Sequence, residues 1–220
     1  MKKSILCLCL LIFAVGPLAA AENDKNEPIE PKEPIELFNG KNLDHWSIFI
    51  PNKKTDPNDV FQVEDGVLKC SGSPAGYIRT KNAYKNYILT VEWRFIKTGN
   101  TGVLVHVTGK DRVWPKSLEC QGRHQNQGVF YTIGGFKFAN QNKKGRRKNK
   151  MGPHNEKPVG EWNEYKIVCE GDDVMPYVNG KLMNKALHCE IAAGDIAIQS
   201  EGAKWECRKI VLEPVKKNKK

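Results

Sequence analysis

Apolar and polar residues alternate along most of this chain, and the 3.6-residue period of an amphipathic helix hardly occurs. In NYILTVEWRFI (86–96), Leu89, Val91, Trp93 and Phe95 share one side, with Thr90, Glu92 and Arg94 on the other. In TGVLVHVTG (101–109), Val103, Val105 and Val107 oppose Leu104 and His106. In VWPKSLECQG (113–122), Leu118 and Cys120 alternate with Ser117, Glu119 and Gln121. EWNEYKIVCEG (161–171) and GDIAIQSEG (194–202) read as further strands. Asp65-Gly66 and Asn179-Gly180 are tight-turn dipeptides between alternating runs, so 61–70 and 174–183 read as hairpins. Pro176 has no N–H for a ladder, which predicts an edge position for its strand. About a dozen short strands joined by Gly, Asn and Asp turns predict an all-β fold, an antiparallel β-sandwich of two sheets.

The polar phases of three successive strands carry candidate chemistry. They hold Glu92 and Arg94, then His106, then Glu119 and Gln121. Sequential strands are often spatial neighbours. The expectation is therefore that 86–96, 102–108 and 117–121 lie in one sheet and converge on its outward face.

The ends of the chain read differently. Lys2 and Lys3 precede the apolar run ILCLCLLIFAV, then Gly16, Pro17 and three alanines at 19–21. This is the pattern of a secretory signal peptide over 1–21, and the run is too short for a comfortable membrane span. The mature protein is then secreted or periplasmic, with no stable membrane span. Residues 22–34 carry Pro28, Pro31 and Pro34 and little that is apolar, so they read as a disordered tether. A domain over 35–215 and a basic tail at 216–220 complete the division.

The formal charge of +10 falls to +8 when Lys2 and Lys3 leave with the signal. Much of the excess sits in KKGRRKNK (143–150), a run that can contact polyanions, although an exported protein is not expected to meet nucleic acid. Cys70, Cys120, Cys169, Cys189 and Cys207 remain after Cys7 and Cys9 are removed. Their spacing fits no zinc pattern, and an odd number leaves at least one thiol unpaired.

Motifs distributed through the domain resemble the 3-keto-disaccharide hydrolase domain family, first catalogued as a domain of unknown function. They are ELFNGKNLDHW (36–46), FQVEDGVLKCSG (61–72), GYIRTKNAYKNYILTVEWRF (76–95), GNTGVLVHV (99–107), VWPKSLECQ (113–121), KPVGEWNEYKIVCEGD (157–172), VNGKLMN (178–184) and IAIQSEG (196–202). Their order and spacing carry the resemblance. It implies a concanavalin A-like jelly roll and a carbohydrate substrate. Pro176 and the basic run at 143–150 depart from the family pattern.

A sugar oxidised at C3 has an acidified hydrogen on C2. Its removal gives an enolate that can expel the oxygen on C1, and water then adds back. Such a site needs a base, a donor for the enolate oxygen and an acid for the leaving group. His106 and Glu119 are the candidate catalytic residues, with His106 as base. Arg79, Glu92, Gln121, Trp114, His124, Gln199 and Glu201 are candidate substrate-binding residues, Trp114 by stacking on a sugar ring. A His/Glu/Gln set can hold a divalent cation, but no ligand spacing here demands one. The same groove would serve a non-catalytic carbohydrate-binding module.

Overall fold

The structure, a computed structural model, describes residues 27–216. The segment read as a signal peptide and nearly all of the basic tail lie outside the described residues. Fifteen strands follow in order: β1 (Ile35–Phe38), β2 (Trp46–Phe49), β3 (Phe61–Glu64), β4 (Val67–Cys70), β5 (Gly76–Thr80), β6 (Tyr87–Phe95), β7 (Gly102–Thr108), β8 (Lys116–Gln121), β9 (Phe130–Ile133), β10 (Arg147–Lys148), β11 (Asn163–Glu170), β12 (Asp173–Val178), β13 (Lys181–Leu182), β14 (Asp195–Ser200) and β15 (Trp205–Pro214). The back sheet runs β13-β12-β11-β6-β15-β4-β3, with β1 also pairing to β15, and the front sheet runs β10-β9-β8-β7-β14-β5-β2. All the paired strands are antiparallel. The sandwich expected from the alternation is present.

The core fills the space between the sheets. Leu89, Val91, Trp93 and Phe95 of β6 face inward from the back, and Val103, Val105, Leu118, Cys120, Ile196 and Ile198 face them from the front. Each such side chain contributes about 1.5–3 kcal/mol by leaving water. Trp93 stacks on Tyr165 at 5.5 Å and lies 6.3 Å from Trp205. The five cysteines among the described residues are buried and unpaired, packed as small apolar side chains.

One topological expectation is overturned. Residues 86–96 form the centre of the back sheet, whereas 102–108 and 117–121 pair in the front sheet. The connection between β6 and β7 is not a hairpin but a crossing from one sheet to the other. It is tied to the turn after β14, which crosses in the opposite direction: Ile96 N donates to Lys204 O at 3.0 Å and Ala203 N to Asn100 O at 2.9 Å. A Cβ on Gly99 would stand 2.6 Å from Ala203 Cα, so this close approach requires glycine. Glu92 and Arg94 consequently point away from the front face. Glu92 pairs with Arg208 at 2.9 Å, and Arg94 and Arg208 each lie 4.7 Å from the ring of Trp162. Glu92 is a member of a surface ion-pair ladder and has no part in a front-face site.

Pro176 sits one strand inward of the expected edge, in β12, bordered by the two-residue β13. Its carbonyl accepts from Met183 N at 2.9 Å. In an antiparallel ladder the carbonyl and the missing N–H of one residue point the same way, so the lost donor faces that short strand.

The proline-rich segment also differs from expectation over its described part. Ile29 N donates to Ala83 O at 2.9 Å, Lys85 N donates to Ile29 O at 3.0 Å, and Asn86 Nδ2 donates to Glu30 Oε2 at 3.1 Å. Pro31 is buried and Ile29 packs on the core. One isoleucine and a pair of backbone bonds suffice to dock a segment whose composition otherwise lacks apolar side chains. A chain beginning at residue 35 should melt roughly 4–8 °C below one beginning at residue 27, the effect of about 2 kcal/mol in a domain of this size, as read by calorimetry.

Candidate active site

The front face is patterned by register. Arg79 pairs with Ala197, Ala197 with Leu104, Leu104 with Glu119, and Glu119 with Tyr131, so these side chains form one row across the sheet. Gly102 pairs with Gln121 in the neighbouring row. Along β14, Asp195, Ala197 and Gln199 share the outward phase, and Glu201 continues it beyond the strand.

A pocket of about 450 Å³ opens over β8 and the end of β14. Glu119, Gln121, Gln199, Glu201 and Trp114 line it, five of the residues expected from the sequence. Asn100, Arg123, Asn126, Tyr131, Arg146 and Arg147 complete its polar wall. The floor is crowded at a single glycine. A Cβ on Gly102 would collide with Gln199 Oε1 and stand 2.9 Å from Glu119 Oε1, so only a bare Cα lets the amide and the carboxyl converge there.

The two carboxyl groups occupy different surroundings. Glu119 is 6% exposed, and burial pushes its carboxyl up to about 8, with the charge of Glu201 adding to the rise and Arg146 opposing it. Glu201 is more open. Burial raises it too, Arg146 again opposing, and Asn100 Nδ2 holds its Oε2 at 2.7 Å. Gln121 Oε1 accepts from Arg123 N at 2.7 Å, which leaves the Gln121 amide N–H groups for a ligand. The oxygens Gln199 Oε1 and Asn100 Oδ1 are buried without a hydrogen-bond partner. A buried polar atom left unpaired costs about 1–3 kcal/mol, so both are suited to hydroxyl groups brought by a bound molecule.

His106 lies elsewhere. The register of β7 shifts between Val105 and Thr108, and His106 itself adopts φ +54°. This bulge inserts one residue into the alternation, so Val107 rather than His106 follows Leu104 on the outward face. The imidazole turns inward, 6.5 Å from the ring of Phe136 and fully buried, with the Ile191 backbone as its one polar neighbour, too poorly aligned for a regular hydrogen bond. Burial lowers its pKa to about 4, which keeps it neutral near pH 7. The geometry separates it from Glu119, and it is not among the residues that line the pocket. His106→Ala should lower stability by ~2–4 kcal/mol through the cavity it leaves. Turnover per folded molecule should change less than about threefold, far below the effect of losing a general base; active-site titration beside a thermal melt checks both.

Arg79 shares a sheet face with Glu119 but stands three strand positions away, about 14 Å. It borders a second depression of about 810 Å³. Its Nε donates to Asp195 Oδ2 at 2.7 Å, Nη1 to Asp111 Oδ1 at 2.9 Å and Nη2 to Gly109 O at 2.9 Å. A guanidinium so fully engaged is a brace between strand and loop, not a free donor. His124 belongs to the loop that supplies Arg123 and Asn126, but its ring faces Glu156 at 3.4 Å and the edge of Phe95 at 6.4 Å. Among the described residues, one group has the spacing of a three-ligand metal set, Asp172, Asp173 and His188. It lies on the back sheet side, outside the pocket.

Arg146, Arg147 and Tyr131 were not anticipated as site residues. The two-residue β10 is too short to show a period, and both arginines read from sequence as part of a basic run able to contact polyanions. The backbone explains their place: Arg147 pairs with Tyr131, and Thr132 N donates to Arg146 O at 2.9 Å. This docks the run at the pocket wall.

The family model described as 3-keto-alpha-glucoside-1,2-lyase-like domain matches residues 33–213. A 3-keto-disaccharide hydrolase of Bacteroides thetaiotaomicron is 26% identical over 69% of this chain, and the match spans 58% of that relative's length. A solved structure of a candidate glycosyl hydrolase from Parabacteroides distasonis superposes with TM-score 0.60 at 21% identity, covering 83% of this chain and 100% of that one. A β-glucanase of Bacillus licheniformis superposes with TM-score 0.53 at 12% identity, over 82% of this chain and 97% of that one. These two structures share the fold.

Proposed function

The chain belongs to the 3-keto-alpha-glucoside-1,2-lyase-like domain family, and from that premise we propose that it is an exported enzyme cleaving 3-keto glycosides in the Glu119 pocket. The observation that carries this reading is the unequal pair of carboxyl groups: Glu119 nearly closed off from water and carrying its proton at neutral pH, Glu201 more open and hydrogen-bonded by Asn100. Burial raises both carboxyls, and the more deeply buried Glu119 is suited to be the acid and the more open Glu201 the base.

Glu201 takes the proton from C2, and the electron pair of the C2–H bond moves to the C3 carbonyl oxygen as an enolate. The free amide N–H groups of Gln121 stabilise that oxygen. The enolate then returns its electrons to form a C1–C2 double bond while the C1–O bond breaks, and Glu119 delivers its proton to the departing oxygen. Water adds across the double bond, with hydroxide to C1 and a proton to C2, and the net change is hydrolysis. Turnover should fall as pH rises through about 8, because Glu119 must be protonated to act. It should also fall at acid pH as Glu201 gains a proton. A pH profile of kcat checks both limbs.

The mechanism is tested by running the reaction on a 3-keto glucoside in D2O. One solvent deuteron at C2 of the released keto sugar, seen by NMR, is the expected result. Cleavage without deuterium at C2 would exclude elimination and return the site to direct glycosidase chemistry.

A further inference from the structure

We propose that the pocket selects acidic saccharides, with Arg146, Arg147 and Arg123 gripping a sulfate ester or carboxylate on the sugar while the amide-lined floor takes its hydroxyl groups. This deepens the carbohydrate reading of the pocket and rests on it.

Three arginines line the pocket wall. Arg79, Arg94 and Arg208 each pair with carboxylates. By contrast, among the described residues no hydrogen bond or ion pair engages the guanidinium of Arg123, Arg146 or Arg147. Arg146 and Arg147 lie 5.3 and 6.0 Å from the ring centre of Tyr131, so an aromatic face holds them at the opening without consuming their N–H groups. Their backbone is also fixed, since Asn142 Nδ2 donates to Arg147 O at 2.6 Å and Thr132 N bonds Arg146 O. Free, planar guanidiniums on a braced segment are suited to two-pronged recognition of sulfate and carboxylate oxygens.

The charge balance agrees. Glu119 and Glu201 oppose three guanidinium charges, and Glu119 is uncharged below about pH 8. The wall of the pocket is therefore cationic at neutral pH. Its floor is not: Gln199 Oε1 and Asn100 Oδ1 await donors, which neutral sugar hydroxyls provide. A neutral disaccharide would satisfy the floor and leave the arginines to water. An acidic one satisfies both.

The test is calorimetric binding of a neutral disaccharide, its sulfate ester and its uronate counterpart to the whole protein at two salt concentrations. The expected result is at least tenfold tighter binding of an acidic sugar than of the neutral one, weakening as salt rises; the sulfate and uronate arms show which anion fits. Arg146→Gln/Arg147→Gln should abolish that preference. Lys143→Gln/Lys144→Gln removes the same charge from the part of the run that does not line the pocket and should preserve it. Equal binding of neutral and acidic sugars overturns the proposal while leaving the carbohydrate site intact. Equal loss in the lysine and arginine variants overturns it too, because the effect would then belong to the general field of the basic run. If none of the three sugars binds, the carbohydrate reading falls with it.

Discussion

Glu119→Gln should cut turnover of a 3-keto glycoside by about a hundredfold or more, the usual scale for losing a proton donor in the transition state. The substitution keeps the shape of the side chain, so sugar binding should survive. Stability should respond in the opposite direction at alkaline pH. The carboxyl in the folded protein titrates near 8, above its ordinary value of 4.5, so the folded state holds its proton more tightly than the unfolded one. The wild type therefore has its full stability below the ordinary value and loses part of it as pH climbs through about 8. The glutamine variant has no such loss. At pH 9 it should be more stable than the wild type by on the order of a few kcal/mol, seen as a melting temperature raised by roughly 5–10 °C. At pH 5 the two should melt together. A variant that loses activity yet gains alkaline stability marks a residue strained for its task, whereas a solvated glutamate would change neither.

Gly102→Ala should be nearly as damaging to activity, for a steric reason. The glycine has an ordinary strand backbone, and alanine there loses less chain entropy on folding than glycine does. Its methyl, however, would collide with Gln199 Oε1 and press within 3.1 Å of Glu119 Cγ. The amide and the carboxyl would have to separate. Displacing reacting groups by about an ångström can cost a hundredfold, so kcat/KM should fall by about that factor while the melt moves by only a few degrees. Steady-state kinetics with a parallel melt check this, and unchanged kcat/KM would mean that the floor of the pocket takes no part.

The strand pattern and the polar phases of β8 and β14 are readable from sequence, because β8 alternates without interruption between an inner apolar and an outer polar set and β14 departs from it at Ala197. That alternation puts Glu119 and Gln121 on the outward face from sequence alone, and Gln199 and Glu201 line the same pocket. The failures have equally local causes. Alternation says which face of a strand a residue occupies but not which sheet the strand joins, so Glu92 was assigned the correct phase and the wrong sheet. The crossing at 96–101 bears no mark that distinguishes it from a hairpin loop. His106 was misplaced by a bulge, and a single inserted residue moves everything beyond it to the other face. Arg146 and Arg147 were hidden in a charge run, where nothing periodic records that the backbone of β10 pairs with β9. Trp114 was found by residue type alone, and it does line the pocket.

The most direct test of the account is the release of monosaccharide from a glycoside and from its 3-keto form by the purified protein, with Glu119→Gln alongside. The keto form should be cleaved at least about a hundredfold faster than the parent, and the variant should cleave it at least about a hundredfold more slowly than the wild type while still binding both sugars. Equal cleavage of parent and keto sugar would contradict it, as would binding of both by the wild type with no release at all, the behaviour of a carbohydrate-binding module.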